Sequence, residues 1–412
     1  MLDPSRILER CDALARHSEL PGGLTRVFLS PESRAASELV LGWMREAGMG
    51  ARLDAIGNCA GRYEASEPGA PCVMLGSHLD TVRDAGRYDG MLGVITAIEC
   101  VHALHAQKKR LPFAIEVLGF GDEEGVRFGT TLLGSRAVAG IFDASVLSLQ
   151  DASGVSMEKA LRDFGLDPQE IPRLGRKKGQ VLAYAELHIE QGPVLEAEGL
   201  PVGVVTAING FSRLRVTLKG EAGHAGTVPM RLRRDALAAA AECVLAVERI
   251  AKGDPELVGT VGRLEAKPGA INVIPGEVMF TIDFRAPRDE LREEAVSRSL
   301  AEAGRIAERR GIKTQVEPLQ SLGVTQCSEW LMVQLERAVA AEGVGVRRLP
   351  SGAGHDGMAL KAITDIAMLF VRCKAGISHN PAEAITREDA AIGARILHRF
   401  LSSFDAGRRL SA

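Results

Sequence analysis

The chain has 412 residues, 46% hydrophobic and 25% charged, a balance ordinary for a globular protein that excludes disorder over most of its length. Fifty Lys and Arg against fifty-three Asp and Glu leave a formal charge of −3, unlike the basic surface of a nucleic-acid binder. No stretch approaches the ~18 consecutive apolar residues of a membrane span, and at roughly 150 residues per domain the length allows two to three domains.

The opening Met-Leu-Asp-Pro-Ser-Arg puts charges where a signal peptide has its apolar core. Residues 31–50 place Ala36, Leu39, Val40, Trp43 and Met44 at helical spacing, ended by Gly48 and Gly50. Cys72 to Leu75, between Pro71 and Gly76, reads as a buried strand. From Gly90 to Gln107, Leu92, Ile95, Ile98, Val101, Leu104 and His105 form one helical stripe, and Phe113 to Phe120 returns as a strand. This alternation predicts an α/β fold with a mixed, mostly parallel sheet covered by helices. The basic run Arg173-Leu-Gly-Arg176-Lys177-Lys178 has no interleaved aromatics and reads as a solvated loop.

From about 211 to 318 the pattern changes. Leu214, Val216 and Leu218 alternate with Arg215, Thr217 and Lys219, as in a strand with one buried face. A helix follows at roughly 231–251, then strands around Leu257–Leu264 and Val278–Phe284, a helix at about Arg288–Arg310 and a strand at Lys313–Glu317. The order β-α-β-β-α-β is ferredoxin-like. An α+β domain of residues 211–318 is therefore expected to interrupt a larger domain of residues 1–210 and 319–412. The seven cysteines are scattered, odd in number and without a C-x-x-C pair; they read as reduced thiols, which places the protein in the cytoplasm.

Four segments leave apolar strands and at once present metal-type side chains: Gly76-Ser-His78-Leu-Asp80 followed by Asp89-Gly90; Gly121-Asp122-Glu123-Glu124-Gly125; Glu186-Leu-His188-Ile-Glu190-Gln191-Gly192; and Ser378-His379-Asn380-Pro381. Taken singly, a His after a strand is usually an ordinary polar residue, Asp-Gly a turn and Glu-Glu a solvated face. Jointly they point elsewhere, because ligands of open α/β sheets bind beyond the carboxyl ends of strands. Adjacent carboxylates beside an apolar strand would also repel and lose hydration unless a cation neutralised them. Imidazoles and carboxylates together suit borderline divalent ions such as Zn²⁺ or Mn²⁺.

With His78-x-Asp80, Asp89-Gly90, Glu123-Glu124, Glu-Leu-His188-Ile-Glu-Gln-Gly and His379-Asn-Pro in this order, the chain resembles the dinuclear M20 metallopeptidase superfamily. Within it, the chain is similar to the ureidohydrolase branch, the allantoate amidohydrolases and N-carbamoyl-L-amino-acid hydrolases of the hydantoinase/carbamoylase family. His188 stands where the peptidase branch commonly has a carboxylate. The resemblance implies two divalent ions per subunit, one held by His78, Asp89 and His188 and the other by Glu124 and His379, with Asp89 bridging. It implies that Asp80 fixes the His78 ring and that Glu123 is the general base. It further implies that His224, in Gly223-His224-Ala-Gly226, stabilises the oxyanion, that Asn272 and Arg285 grip a substrate carboxylate, and that Gln191 touches the ureido group. The inserted domain would act as a lid and make a homodimer, with His224 reaching the partner's active site.

The implied reaction is metal-dependent hydrolysis of a terminal ureido C–N bond of a small carboxylate, releasing ammonia and CO₂. The phrases Thr81-Val-Arg-Asp84-Ala-Gly86-Arg-Tyr88 and Asp122-Glu-Glu-Gly-Val126-Arg127-Phe128 look closer to allantoate amidohydrolases, since carbamoylases more often carry Ser at the position of Val126. N-carbamoyl-L-amino-acid hydrolysis is the alternative, and an M20 aminoacylase or dipeptidase a further one. No G-x-S-x-G elbow supports a serine hydrolase, and the full ligand set argues against a binder without catalysis. His355, in Gly354-His355-Asp356-Gly357, is equally consistent with a functional and a loop-structuring role. His17, His102, His105 and His398 lie on helix-like segments and read as packing or surface residues.

Overall fold

Apolar runs in the first part of the chain become adjacent strands of one sheet. In the computed structural model, which describes residues 2–407, the chain divides into two compact units. The first comprises residues up to Thr206, Gln326–Leu349 and the chain from Ala353; the second comprises Ala207–Thr325 and Pro350–Gly352.

At the centre of the first unit, Ala114–Phe120, Cys72–His78, Val181–Ile189 and Ile366–Val371 lie side by side and parallel. All four are buried along nearly their whole length, which is why they read as continuous apolar runs rather than alternating ones. Antiparallel strands flank them: Cys59–Tyr63 and Gly50–Leu53 on one side, Val202–Ile208 on the other. The register sets His78 opposite Phe120 and His188 opposite Phe370, so the chemically loaded strand exits share one end of the sheet.

The helix Met91–Ala106 packs on these strands, with Pro4–Ala15 and Arg387–Ser403 over it. It is buried almost all round rather than along one stripe, because those two helices cover its outer face. Glu99 on that helix is fully buried and is satisfied by Arg6 at 2.7 Å and by the Asp3 N–H at 2.9 Å. The helix approaches the sheet so closely that a Cβ on Gly93 would come within 2.2 Å of the Leu187 carbonyl. A separate apolar cluster (Phe28, Leu133, Met157, Leu161 and Phe164 among its members) supports the segment after Gly121 with short helices at Leu133–Val138 and Met157–Asp163.

The second unit is an antiparallel sheet in the order Leu264–Lys267, Glu277–Ala286, Gly210–Lys219 and Lys313–Leu322, with the helices Ala236–Ala251 and Asp289–Arg309 sharing its core. Residues along Gly210–Lys219 and Glu277–Ala286 alternate between buried and half-buried, with Lys219 at the strand end exposed. The single strand expected at Leu257–Leu264 is two short ones, Val258–Thr260 and Leu264–Lys267, both on Glu277–Ala286. The last strand continues past Glu317 to Leu322. Its edge position tolerates Pro318, where the register slips. No helix among the described residues is long and apolar enough to cross a membrane, and all seven cysteines are buried and unpaired.

Candidate metal centre

His78 ends one parallel strand and His188 sits one residue from the end of its neighbour, so both rings emerge at the same edge, stacked with centroids 5.7 Å apart. The Asp89-Gly90 turn brings a carboxylate between them. Asp89 Oδ1 lies 3.2 Å from His188 Nε2 and 3.5 Å from His78 Nε2, while Oδ2 lies 3.1 Å from His379 Nε2. His379 Nε2 is also 3.5 Å from Glu124 Oε1. Donor atoms about 2.1 Å from a tetrahedral ion stand roughly 3.4 Å from one another, so these separations suit divalent metals. Ligand atoms of His78, Glu123 and Glu124 also cluster, as do those of His78, Asp89 and His188, and of Asp89, Glu124 and His379. The donor set is imidazole and carboxylate throughout, which fits Zn²⁺ or Mn²⁺ chemistry.

The other ring nitrogens of His78 and His188 are spoken for, which aims the Nε2 of each inward. His78 Nδ1 is 2.9 Å from the Asp80 carbonyl and His188 Nδ1 is 2.9 Å from the Ile189 carbonyl. Asp80 thus holds His78 through its main chain, since its carboxylate is 3.8 Å from that nitrogen. The carboxylate instead accepts the N–H groups of Glu123 at 3.0 Å and Glu124 at 3.1 Å, fixing the turn that presents both acids.

The backbone is strained where the side chains converge. Asp122, Gln191 and His379 all have positive φ, between 54° and 58°, an uncommon state that clusters at functional sites. Gly90 has φ +70°, and a Cβ there would press within 2.6 Å of the His78 ring. Gln191 Nε2 donates toward Asp89 Oδ2 at 3.1 Å and Ser378 Oγ at 3.2 Å, so Gln191 belongs to the centre itself.

Charge follows the geometry. Burial alone would raise the Asp89 carboxyl, but His188, His379 and His78 overcome it and hold it well below the usual range. Burial opposes charge on His78, yet its bond to Asp89 and the nearby Glu123 lift it well above an ordinary imidazole. His188 is raised against burial by Asp89, and His379 is raised first by its bond to Asp89. Burial pushes Glu124 up to about 7 and Glu123 well above a normal carboxyl, with His78 pulling both back.

Two contributors had no role readable from the sequence. Glu383, 4% exposed, accepts the N–H groups of Tyr88 at 2.8 Å and Asp89 at 3.2 Å with one oxygen and the Ser378 hydroxyl at 3.0 Å with the other. It ties the Asp89 turn to the His379 turn; the only signal was a carboxylate four residues after His379. Glu186, fully buried beneath His188 on the same strand, accepts from Ser77 Oγ and Tyr184 OH at 2.8 and 2.9 Å. His355 is buried with its ring edge-on to His188 at 4.5 Å, flanked by Phe370. His102 and His105 lie elsewhere, beside Arg6 and Tyr63.

His224, Asn272 and Arg285 belong to the second unit. His224 pairs with Val273 across a two-stranded ribbon, and the Ala225 N–H donates to the Asn272 carbonyl, setting the first two residues side by side and exposed. The Gly226 N–H donates to His224 Nδ1 at 3.0 Å, which leaves Nε2 as the ring nitrogen able to donate. Arg285, near the end of its strand, donates to the Gly352 carbonyl at 2.9 Å and pairs with Asp283 at 3.1 Å.

A parallel α/β sheet whose strand exits converge on three imidazoles and two or more carboxylates defines a divalent-metal hydrolase. The profile of Peptidase family M20/M25/M40 matches residues 74–403, and the chain belongs to that family. It is 44% identical to the N-carbamoyl-L-amino acid amidohydrolase of Geobacillus stearothermophilus, over 97% of this chain and 98% of that one. It is 41% identical to a probable allantoate deiminase of Oryza sativa subsp. japonica, over 95% and 87% respectively. Among solved structures, an amidase of the hydantoinase/carbamoylase family from Burkholderia multivorans superposes with a TM-score of 0.91 at 34% identity, covering 97% of this chain and 98% of that one.

Proposed function

We propose that the protein is an amidohydrolase that cleaves the terminal ureido C–N bond of a small carboxylate, with allantoate as substrate. The observation that carries this reading is Glu123, a buried carboxylate beside His78 and Glu124 whose backbone is pinned by Asp80. On this reading His78, Asp89 and His188 would hold one ion, and Glu124 and His379, again with Asp89, a second. Two Mn²⁺ or Zn²⁺ ions held there would polarise the ureido carbonyl, itself a poor electrophile, and lower the pKa of the attacking water.

The remaining work falls to side chains. Glu123 takes a proton from the water and passes it to the leaving nitrogen; burial raises its affinity for that proton, which suits a shuttle. Ammonia departs, and the carbamate left behind loses CO₂ to free the amine. His224 donates from Nε2 to the developing oxyanion. Asn272 and the planar fork of Arg285 grip the substrate carboxylate, and Gln191 contacts the ureido group. The second unit would also carry a homodimer interface, in keeping with Met230, Leu232 and Ile271, which it leaves exposed.

The 44% identity to an N-carbamoyl-L-amino acid amidohydrolase favours a second substrate reading, hydrolysis of N-carbamoyl-L-amino acids. Ammonia release from a panel of allantoate and several N-carbamoyl-L-amino acids, with Mn²⁺ supplied, separates the two. Higher kcat/KM on allantoate supports the first reading, higher kcat/KM on a carbamoyl amino acid the second. Hydrolysis of N-acyl amino acids or dipeptides alone would overturn both.

A further inference from the structure

A polar cavity lies at the opposite end of the sheet from the metal centre. Cys72 and Gln180 line it, at the beginnings of the strands that end near His78 and His188; a strand of seven residues separates the two ends by roughly 20 Å. Its volume is about 670 Å³, within the ~300–1,000 Å³ of small-molecule sites.

The cavity's charged lining is Arg52, Arg62, Arg173, Arg176, Lys177 and Glu116. These come from three separate parts of the chain: the strands Gly50–Leu53 and Cys59–Tyr63, the strand Ala114–Phe120, and the 3₁₀ turn Pro168–Leu174 with the loop that runs on to Val181. Glu116 is buried and orients two guanidinium groups at once. One oxygen accepts from Arg62 Nη1 at 3.0 Å, the other from Arg176 Nη2 at 3.2 Å and Nε at 3.3 Å. Arg62 Nη2 is braced on the Ala70 carbonyl at 2.8 Å and Arg176 Nη1 on the Leu174 carbonyl at 3.1 Å. Each of these terminal nitrogens carries two N–H groups, so the braced forks keep donors to spare.

Two more carboxylates act at the margin, Glu64 on Arg62 at 3.0 Å and Glu170 on Arg173 at 2.5 Å. Arg52 and Lys177 form no ion pair among the described residues, so five cations face three carboxylates. A merely solvated basic loop would extend into water, whereas the Arg176 side chain folds back to 21% exposure onto a buried acid. With the arginines already ordered, a ligand need not supply that ordering free energy.

We propose that this cavity binds a small anion carrying two or more acid groups, phosphate or carboxylate, at a site separate from the metal centre. Titration calorimetry on the metal-loaded protein with fructose 1,6-bisphosphate and, separately, tricarballylate tests this and distinguishes the two chemistries. Saturable one-to-one binding of at least one probe is expected. The double substitution Arg52→Glu, Lys177→Glu should weaken it about tenfold or more while ammonia-releasing activity is unchanged, and Arg285→Ala should leave it intact. No saturable binding of either probe, undiminished binding by the double variant, or loss in Arg285→Ala would overturn the proposal.

Discussion

The two oxygens of Asp89 face different imidazoles, Oδ1 toward His188 and His78 and Oδ2 toward His379, and Glu383 holds the backbone of that residue in place. Removing such a support usually costs about 10–100-fold in metal affinity. Glu383→Ala is therefore expected to weaken metal binding by that factor with the fold retained, measured by titrating metal into apoprotein; unchanged affinity would show the tie to be irrelevant. Glu123→Gln should keep its metal, measured by elemental analysis, yet lose turnover by roughly 10²–10⁴-fold. Histidines and carboxylates at strand exits could be picked out because charge beside an apolar run is costly without a cation. Glu383 could not, since two of its three partners are main-chain N–H groups as far as 295 residues away.

At the scale of elements, the parallel strands were legible as uninterrupted apolar runs, and the second unit as strict alternation. The segment between Gly121 and Val181 was not. Its helices are a turn or two long, with 3₁₀ turns at Ala144–Ser148 and Pro168–Leu174, too short to show a period. Nor does sequence reveal how near the Met91–Ala106 helix lies to the sheet. Gly→Ala inside a helix ordinarily stabilises by up to about 1 kcal/mol. Gly93→Ala should instead lower the Tm, because the new Cβ would meet the Leu187 carbonyl beside His188. Thermal denaturation decides it, and a raised Tm would contradict the close packing.

For the whole molecule, the proposed ligand set would put protons and metal in competition for one set of atoms. Asp89 holds His188 and His379 above their ordinary values, as it does His78 together with Glu123, and burial holds Glu124 at about 7. These protons must leave before a cation binds, so apparent metal affinity should fall as pH drops below about 7 and climb as pH rises, about tenfold per pH unit for each proton released. Metal titrations at a series of pH values check the slope; a flat profile would contradict the assigned ligands. A ureido bond should be hydrolysed only when metal is present. The most direct test is ammonia release from allantoate and N-carbamoyl-L-amino acids by the same preparation as isolated, after chelation, and after Mn²⁺ or Zn²⁺ is restored. Chelation should abolish activity and restored metal should recover it. Full activity in the chelated protein, or none on any ureido substrate with metal restored, would contradict that expectation.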